Sequence, residues 1–120
     1  MKRLLIVDDN EHQHELFRVY AMMIPELELD HVNTLEDAVS LVKKNEYDLM
    51  FLDNRLHPHE SYKECVPTIW DNDYKGKIVV FSSDVDNQTA CEISDFKVTD
   101  FIDKSSISIY NFEKIVQNYI

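Results

Sequence analysis

The chain has 120 residues, 44% of them apolar, and its 12 Lys+Arg against 23 Asp+Glu give a formal net charge of −11. That length fits one domain spanning 1–120 with one core that needs neither disulfide nor structural metal, and the apolar content argues against disorder. The negative surface argues against nucleic acid as a partner, and Cys65 and Cys91, which form no C-x-x-C pair, read as buried hydrophobes in a reducing cytosol.

Leu4-Leu5-Ile6-Val7 is too short an apolar run for a signal peptide and reads as a buried strand that ends in Asp8-Asp9. Leu16, Val19, Tyr20, Met23 and Ile24 then recur at helical spacing, with Asn10 as the cap and Gln13 in the reciprocal capping position. A weaker strand is expected at Leu29–Val32, followed by a helix that Thr34 caps and whose apolar face is Leu35, Ala38, Val39 and Val42. Leu49–Leu52 predicts a third strand, ending in Asp53. Tyr62, Cys65, Val66, Ile69 and Trp70 predict a third helix, in which Pro67 implies a kink or a late start. Ile78–Phe81 is the fourth strand, ending in Ser82-Ser83, and the single glycine, Gly76, precedes it in a polar connection. Asp86–Phe96, rich in Asp, Asn and Thr, is expected to be the fourth and least stable helix. A fifth strand, Val98–Ile102, runs into Asp103-Lys104, and Ile109–Ile120 closes the chain as a helix with Phe112, Ile115, Val116 and Tyr119 on its face. The longest uncharged stretch, Ser105 to Phe112, is under half of a membrane span of about 20 residues, so no membrane insertion and a cytoplasmic location are expected.

Five strands alternating with five helices imply a doubly wound α/β domain, a parallel sheet covered on both faces. Ligands of such folds bind outside the carboxyl ends of the strands, where Asp8, Asp9, Asp53, Ser82 and Lys104 fall. Carboxylates gathered within about 5 Å repel by about 3 kcal/mol per pair at an effective dielectric of about 20. The cluster therefore needs a compensating charge, which Lys104 and a hard cation such as Mg²⁺ can supply, and it reads as a phosphate-handling site.

The motifs LLIVDD, LMFLDNRL, VVFSS and DFIDKS, in that order at consecutive strand ends, resemble the response-regulator receiver domain of two-component signalling over essentially the whole chain. The resemblance implies a flavodoxin-like (βα)5 fold with strand order 2-1-3-4-5. It implies that Asp53 is the phosphoacceptor, served by a histidine kinase or a histidine phosphotransfer protein. It also implies Mg²⁺, with Asp9 as direct ligand, Asp8 as a water-mediated one, Asp53 itself, and the main-chain carbonyl of Arg55. Lys104 would pair with Asp53 and then with the phosphoryl oxygens. Ser82 would hydrogen-bond the phosphoryl group, and its movement would favour inward rotation of Phe101. The output surface, for a downstream protein that the sequence does not name, would be the fourth helix, fifth strand and fifth helix. Because the chain stops with that helix, a stand-alone receiver is expected, a phosphoacceptor rather than a substrate-turnover enzyme.

The chain departs from the family pattern after Asp53, where Leu56 is followed by His57 and Pro58 without a glycine, implying a reshaped loop over Leu56–Ser61. Phe101 lacks the hydroxyl of the family's common Tyr, and Ser105 follows Lys104 in place of Pro. Arg55 and Asp84, opposite in charge, are expected at the mouth of the site, where they could hinder attack by water on the phosphoryl group. His12, His14, His57 and His59 flank the acidic site in sequence, where a His-rich metal site is the alternative to the expected solvated loop and helix-start histidines. Two competing readings are a pseudo-receiver that binds partners without phosphorylation and a Mg²⁺ phosphohydrolase with an aspartyl nucleophile. The latter usually carries a second acid where this chain has Arg55. A flavin domain is disfavoured because Asp8-Asp9-Asn10 repels a phosphate.

Overall fold

The structure, a computed structural model, describes residues 2–54, 56, 62–82 and 96–120. Strands β1 (Lys2–Val7), β2 (Leu27–Val32), β3 (Leu49–Asp53), β4 (Lys77–Ser82) and β5 (Asp100–Asp103) form one five-stranded sheet in the order β2-β1-β3-β4-β5. Every pairing is parallel, with Leu4 opposite both Leu29 and Leu49, Asp53 opposite Phe81, and Ser82 opposite Asp103. The helices are α1 (Glu11–Ala21), α2 (Leu35–Lys44), α3 (Tyr62–Asp71) and α4 (Phe112–Tyr119), the last preceded by a 3₁₀ turn at Lys104–Ser106. The expected fold class and strand order hold. The expected helix over Asp86–Phe96, with Cys91 in it, lies outside the described residues save for Phe96.

The central strands are apolar throughout because both faces of the sheet are covered. Leu5, Val7, Met50, Leu52, Ile78 and Val80 point to one face, where α2 and α3 add Ala38, Cys65, Val66 and Ile69. Leu4, Ile6, Leu49, Phe51, Val79 and Phe81 point to the other, where α1 and α4 add Phe17, Phe112 and Val116. Edge strand β2 has no fully buried residue, which explains its weak apolar signal. Strand β5 begins at Asp100, two residues later than expected, although Val98 before it is already core.

The caps form as read: the Asn10 side chain accepts from the Gln13 N–H at 3.2 Å and Thr34 accepts from the Asp37 N–H at 3.1 Å. The late start expected at Pro67 does not occur. Helix α3 begins at Tyr62 and runs through Pro67. The proline costs one backbone bond, and burial of Tyr62, Cys65, Val66 and Ile69 around it offsets that loss.

The face of α1 is a correction. Val19 and Met23, expected in the core, are 48% and 60% exposed, whereas His14, Phe17 and Ala21 are buried. Phe17 fixes this rotation, because its ring lies within 6.2 Å of those of Phe51, Phe81 and Phe112. His14 follows it inward, against the expectation of a solvated histidine. Among the described residues, no helix is long and apolar enough to cross a membrane.

Candidate functional site

Three strands deliver buried polar side chains to one end of the sheet. Asp8 follows β1 and is fully buried, Asp53 ends β3 at 6% exposure, and Ser82 ends β4 at 4%. The main chain holds this edge: the Asp8 N–H donates to the Val32 carbonyl at 3.1 Å and the Asn54 N–H to the Phe81 carbonyl at 3.0 Å. Asp9, next to Asp8, is exposed, so one carboxylate of the pair faces inward and the other faces the mouth.

Lys104, carried in by the 3₁₀ turn after β5, lies between the acids. Its Nζ is 3.1 Å from Asp53 Oδ1 and 3.4 Å from Asp8 Oδ2, and it passes 4.9 Å from the centre of the Phe81 ring. Asp8, Asp9 and Asp53 each present an oxygen, and these oxygens all lie within 4.8 Å of one another. Burial, then the Asp53 charge, push the Asp8 carboxyl up to about 6, against the N–H of Asn10 and the Lys104 ammonium, which pull it down.

Asp8 Oδ2 is buried without a hydrogen-bond partner. An all-oxygen donor set and three acids against one lysine are the features that a hard divalent cation satisfies, so these residues fit Mg²⁺.

The structure thus brings together Asp8, Asp9, Asp53 and Lys104. Ser82 lies at the next strand end, held at 3.5 Å by the Asn54 side-chain amide. Phe101 on β5 is half-buried, and its ring stands edge-on to Tyr62 with centroids 4.9 Å apart. Arg55 and Asp84, and most of the loop expected to be reshaped, lie outside the described residues, although Leu56 is fully buried. Sequence reasoning missed Asn54. Its Nδ2 donates to Ser82 Oγ while its Oδ1 accepts from the Tyr62 N–H at 3.3 Å, which links the strand-four hydroxyl to the start of α3. The available signal was its place immediately after Asp53 at a strand end.

Comparison with curated proteins gives no match. Solved structures are similar in fold. A signal receiver domain from Vibrio parahaemolyticus, assigned to a LuxO repressor protein, superposes with a TM-score of 0.85 at 22% identity, over 98% of this chain and 88% of that one. A response regulator receiver domain from Methylobacillus flagellatus gives 0.77 at 26% identity, over 100% and 99% of the two chains. The response regulator TrrA from Thermotoga maritima, solved with Mg²⁺ and BeF, gives 0.77 at 23% identity over the full length of both. The strand order, the acidic strand ends and a match of residues 4–117 to the sequence model of the response regulator receiver domain lead to one conclusion: this chain belongs to the receiver domain family of two-component response regulators.

Proposed function

We propose that this receiver accepts a phosphoryl group on Asp53 from the phosphohistidine of a histidine kinase or histidine phosphotransfer protein, in the cytoplasm, and signals by protein contact. The observation that carries the reading is the position of Asp53. It is a buried carboxylate at the end of a central strand, with an ammonium 3.1 Å away and two further acids within 4.8 Å. A carboxylate oxygen of Asp53 forms the new P–O bond as the P–N bond to the donor imidazole breaks, and the imidazole nitrogen keeps the electron pair.

Asp8, Asp9 and Asp53, with the main-chain carbonyl of Arg55, would hold Mg²⁺, which when bound supplies positive charge against the phosphoryl oxygens. Lys104 stays at the acceptor carboxylate and serves the same charge from the other side. Ser82 turns to donate to a phosphoryl oxygen, giving up its contact with Asn54, and Phe101 re-packs against Tyr62. This is a shift between two populations that phosphorylation biases, read by a partner at β5 and α4 and at the segment 86–96, which save for Phe96 lies outside the described residues. Arg55 and Asp84 would set the lifetime of the phosphoryl group.

Incubation with Mg²⁺ and a small-molecule phosphodonor, followed by intact mass, tests the reading. The expected result is one phosphoryl adduct on the wild type that requires Mg²⁺ and is absent from Asp53→Ala. A wild type that binds Mg²⁺ but never gains the adduct overturns the proposal in favour of a phosphorylation-independent binding module. Catalytic hydrolysis of a phosphomonoester, whose leaving group is too poor to phosphorylate a receiver, overturns it in favour of a phosphohydrolase.

A further inference from the structure

Next to the acidic site, a cleft of about 370 Å³ opens between α1, β2 and α2, lined by Glu11, His14, Glu15, His31, Asn33 and Asp37. Receiver chemistry uses none of these side chains. His14 is 4% exposed, and its Nε2 is buried without any hydrogen-bond partner. A buried polar nitrogen left in that state costs about 1–3 kcal/mol, and native proteins rarely leave such a group without a use. The His31 ring approaches to 4.2 Å between centroids, tilted by 45°.

An unpartnered imidazole nitrogen beside a second imidazole, in a cleft walled by carboxylates, is a set of groups that a metal ion would satisfy.

We infer that His14 and His31 form a second cation site, selective for a borderline transition-metal ion such as Zn²⁺, with one carboxylate of the cleft wall as the third ligand. Imidazole nitrogens favour Zn²⁺, Ni²⁺ or Cu²⁺ over Mg²⁺, whereas the all-oxygen set of Asp8, Asp9 and Asp53 has the opposite preference. Among the described residues, the cluster of three ligand groups already drawn together is the acidic one. At the histidine pair, therefore, Glu11, Glu15 or Asp37 swings in when the ion arrives. The bound ion clips α1 to β2 beside Asp8. This inference does not depend on phosphorylation of Asp53.

Zn²⁺ is titrated calorimetrically into the tag-free full chain in excess Mg²⁺, which keeps the acidic site occupied. One Zn²⁺ is expected to bind. His31→Ala, at an exposed position on edge strand β2, should keep the far-UV spectrum and weaken Zn²⁺ by at least about tenfold, the loss typical even of an outer-shell change. His14→Gln should do the same. His12→Ala, an exposed histidine of α1 outside the cleft, should leave the affinity unchanged. Absence of wild-type binding overturns the inference, as does full affinity in His31→Ala, which would place the ion on a thiol or another surface group. Loss of binding in Asp9→Asn also overturns it, because the ion would then sit in the acidic site.

Discussion

At the amino end of the sheet, the turns leading into β2, β4 and β5 each hold a non-glycine residue at positive φ: Glu26 at 68°, Asp73 at 63° and Lys97 at 58°. Polar groups there find partners of opposite character. The Tyr74 hydroxyl donates to the Lys77 carbonyl at 2.8 Å, the Tyr47 hydroxyl to Asp30 at 2.6 Å, and Asp48 accepts the Arg3 N–H at 2.9 Å. At the carboxyl end, Asp8 and Asp53 are buried together with one lysine between them, and Asp9 adds a third carboxylate within 4.8 Å. One end spends local backbone strain on tight, well-paired turns. The other, among the described residues, concentrates like charge. Function gathers where the electrostatics are left incomplete, because an incomplete site has something to gain from a ligand.

The largest expected effect tests that incompleteness. Lys104→Ala removes the only cation drawn between Asp8 and Asp53 among the described residues, and should cost the metal-free protein about 3 kcal/mol in urea denaturation. Added Mg²⁺ should recover more stability in this variant than in the wild type. If the variant denatures like the wild type, the carboxyl end is not electrostatically strained.

The same end should carry a pH signature. Asp8 is raised in the folded state to about 6 from 3.8, so the folded protein holds a proton that the unfolded chain releases. The stability this group contributes is complete below about 4 and disappears as pH rises through about 6. Metal-free protein should therefore lose stability across that window, and Mg²⁺ or Asp8→Asn should flatten the slope.

Gly76→Ala probes the opposite end. Its φ is ordinary, but a Cβ there would lie 2.4 Å from both the Tyr47 carbonyl oxygen and the Tyr74 hydroxyl. Overpacking against fixed backbone should cost about 2 kcal/mol, seen as a lower denaturation midpoint with the Asp53 adduct still forming. The smallest effect is expected at Glu26→Gly, which relieves a left-handed backbone and should gain about 1 kcal/mol before the entropy of the glycine is subtracted. That entropy is about 0.5–1 kcal/mol, so the net change should be close to zero, and a loss of more than about 1 kcal/mol would show that Glu26 makes a contact worth more than its strain.

Much of this was legible from residues alone. The continuous runs Leu4–Val7, Leu49–Leu52 and Ile78–Phe81 mark strands buried on both faces, and both caps read at Asn10 and Thr34 form. The face of α1 was not legible, because aliphatic residues on one side compete with Phe17 on the other, and hydropathy does not record that three phenylalanines from β3, β4 and α4 wait for the latter. His14 was misjudged for the same reason. Pro67 was weighed by propensity, which is a weaker influence than a well-buried helix face.

The sequence by itself determined the order of elements, the burial of the central strands and the delivery of Asp8, Asp9, Asp53, Ser82 and Lys104 to strand ends, since all of these follow from local periodicity and chain order. Only the tertiary structure decided that Asp8 is fully buried while Asp9 faces out, that Asn54 joins Ser82 to α3, and that His14 meets His31. These are contacts between residues far apart in the chain. Their distances depend on how helices rotate onto the sheet, and a one-dimensional pattern does not contain that rotation.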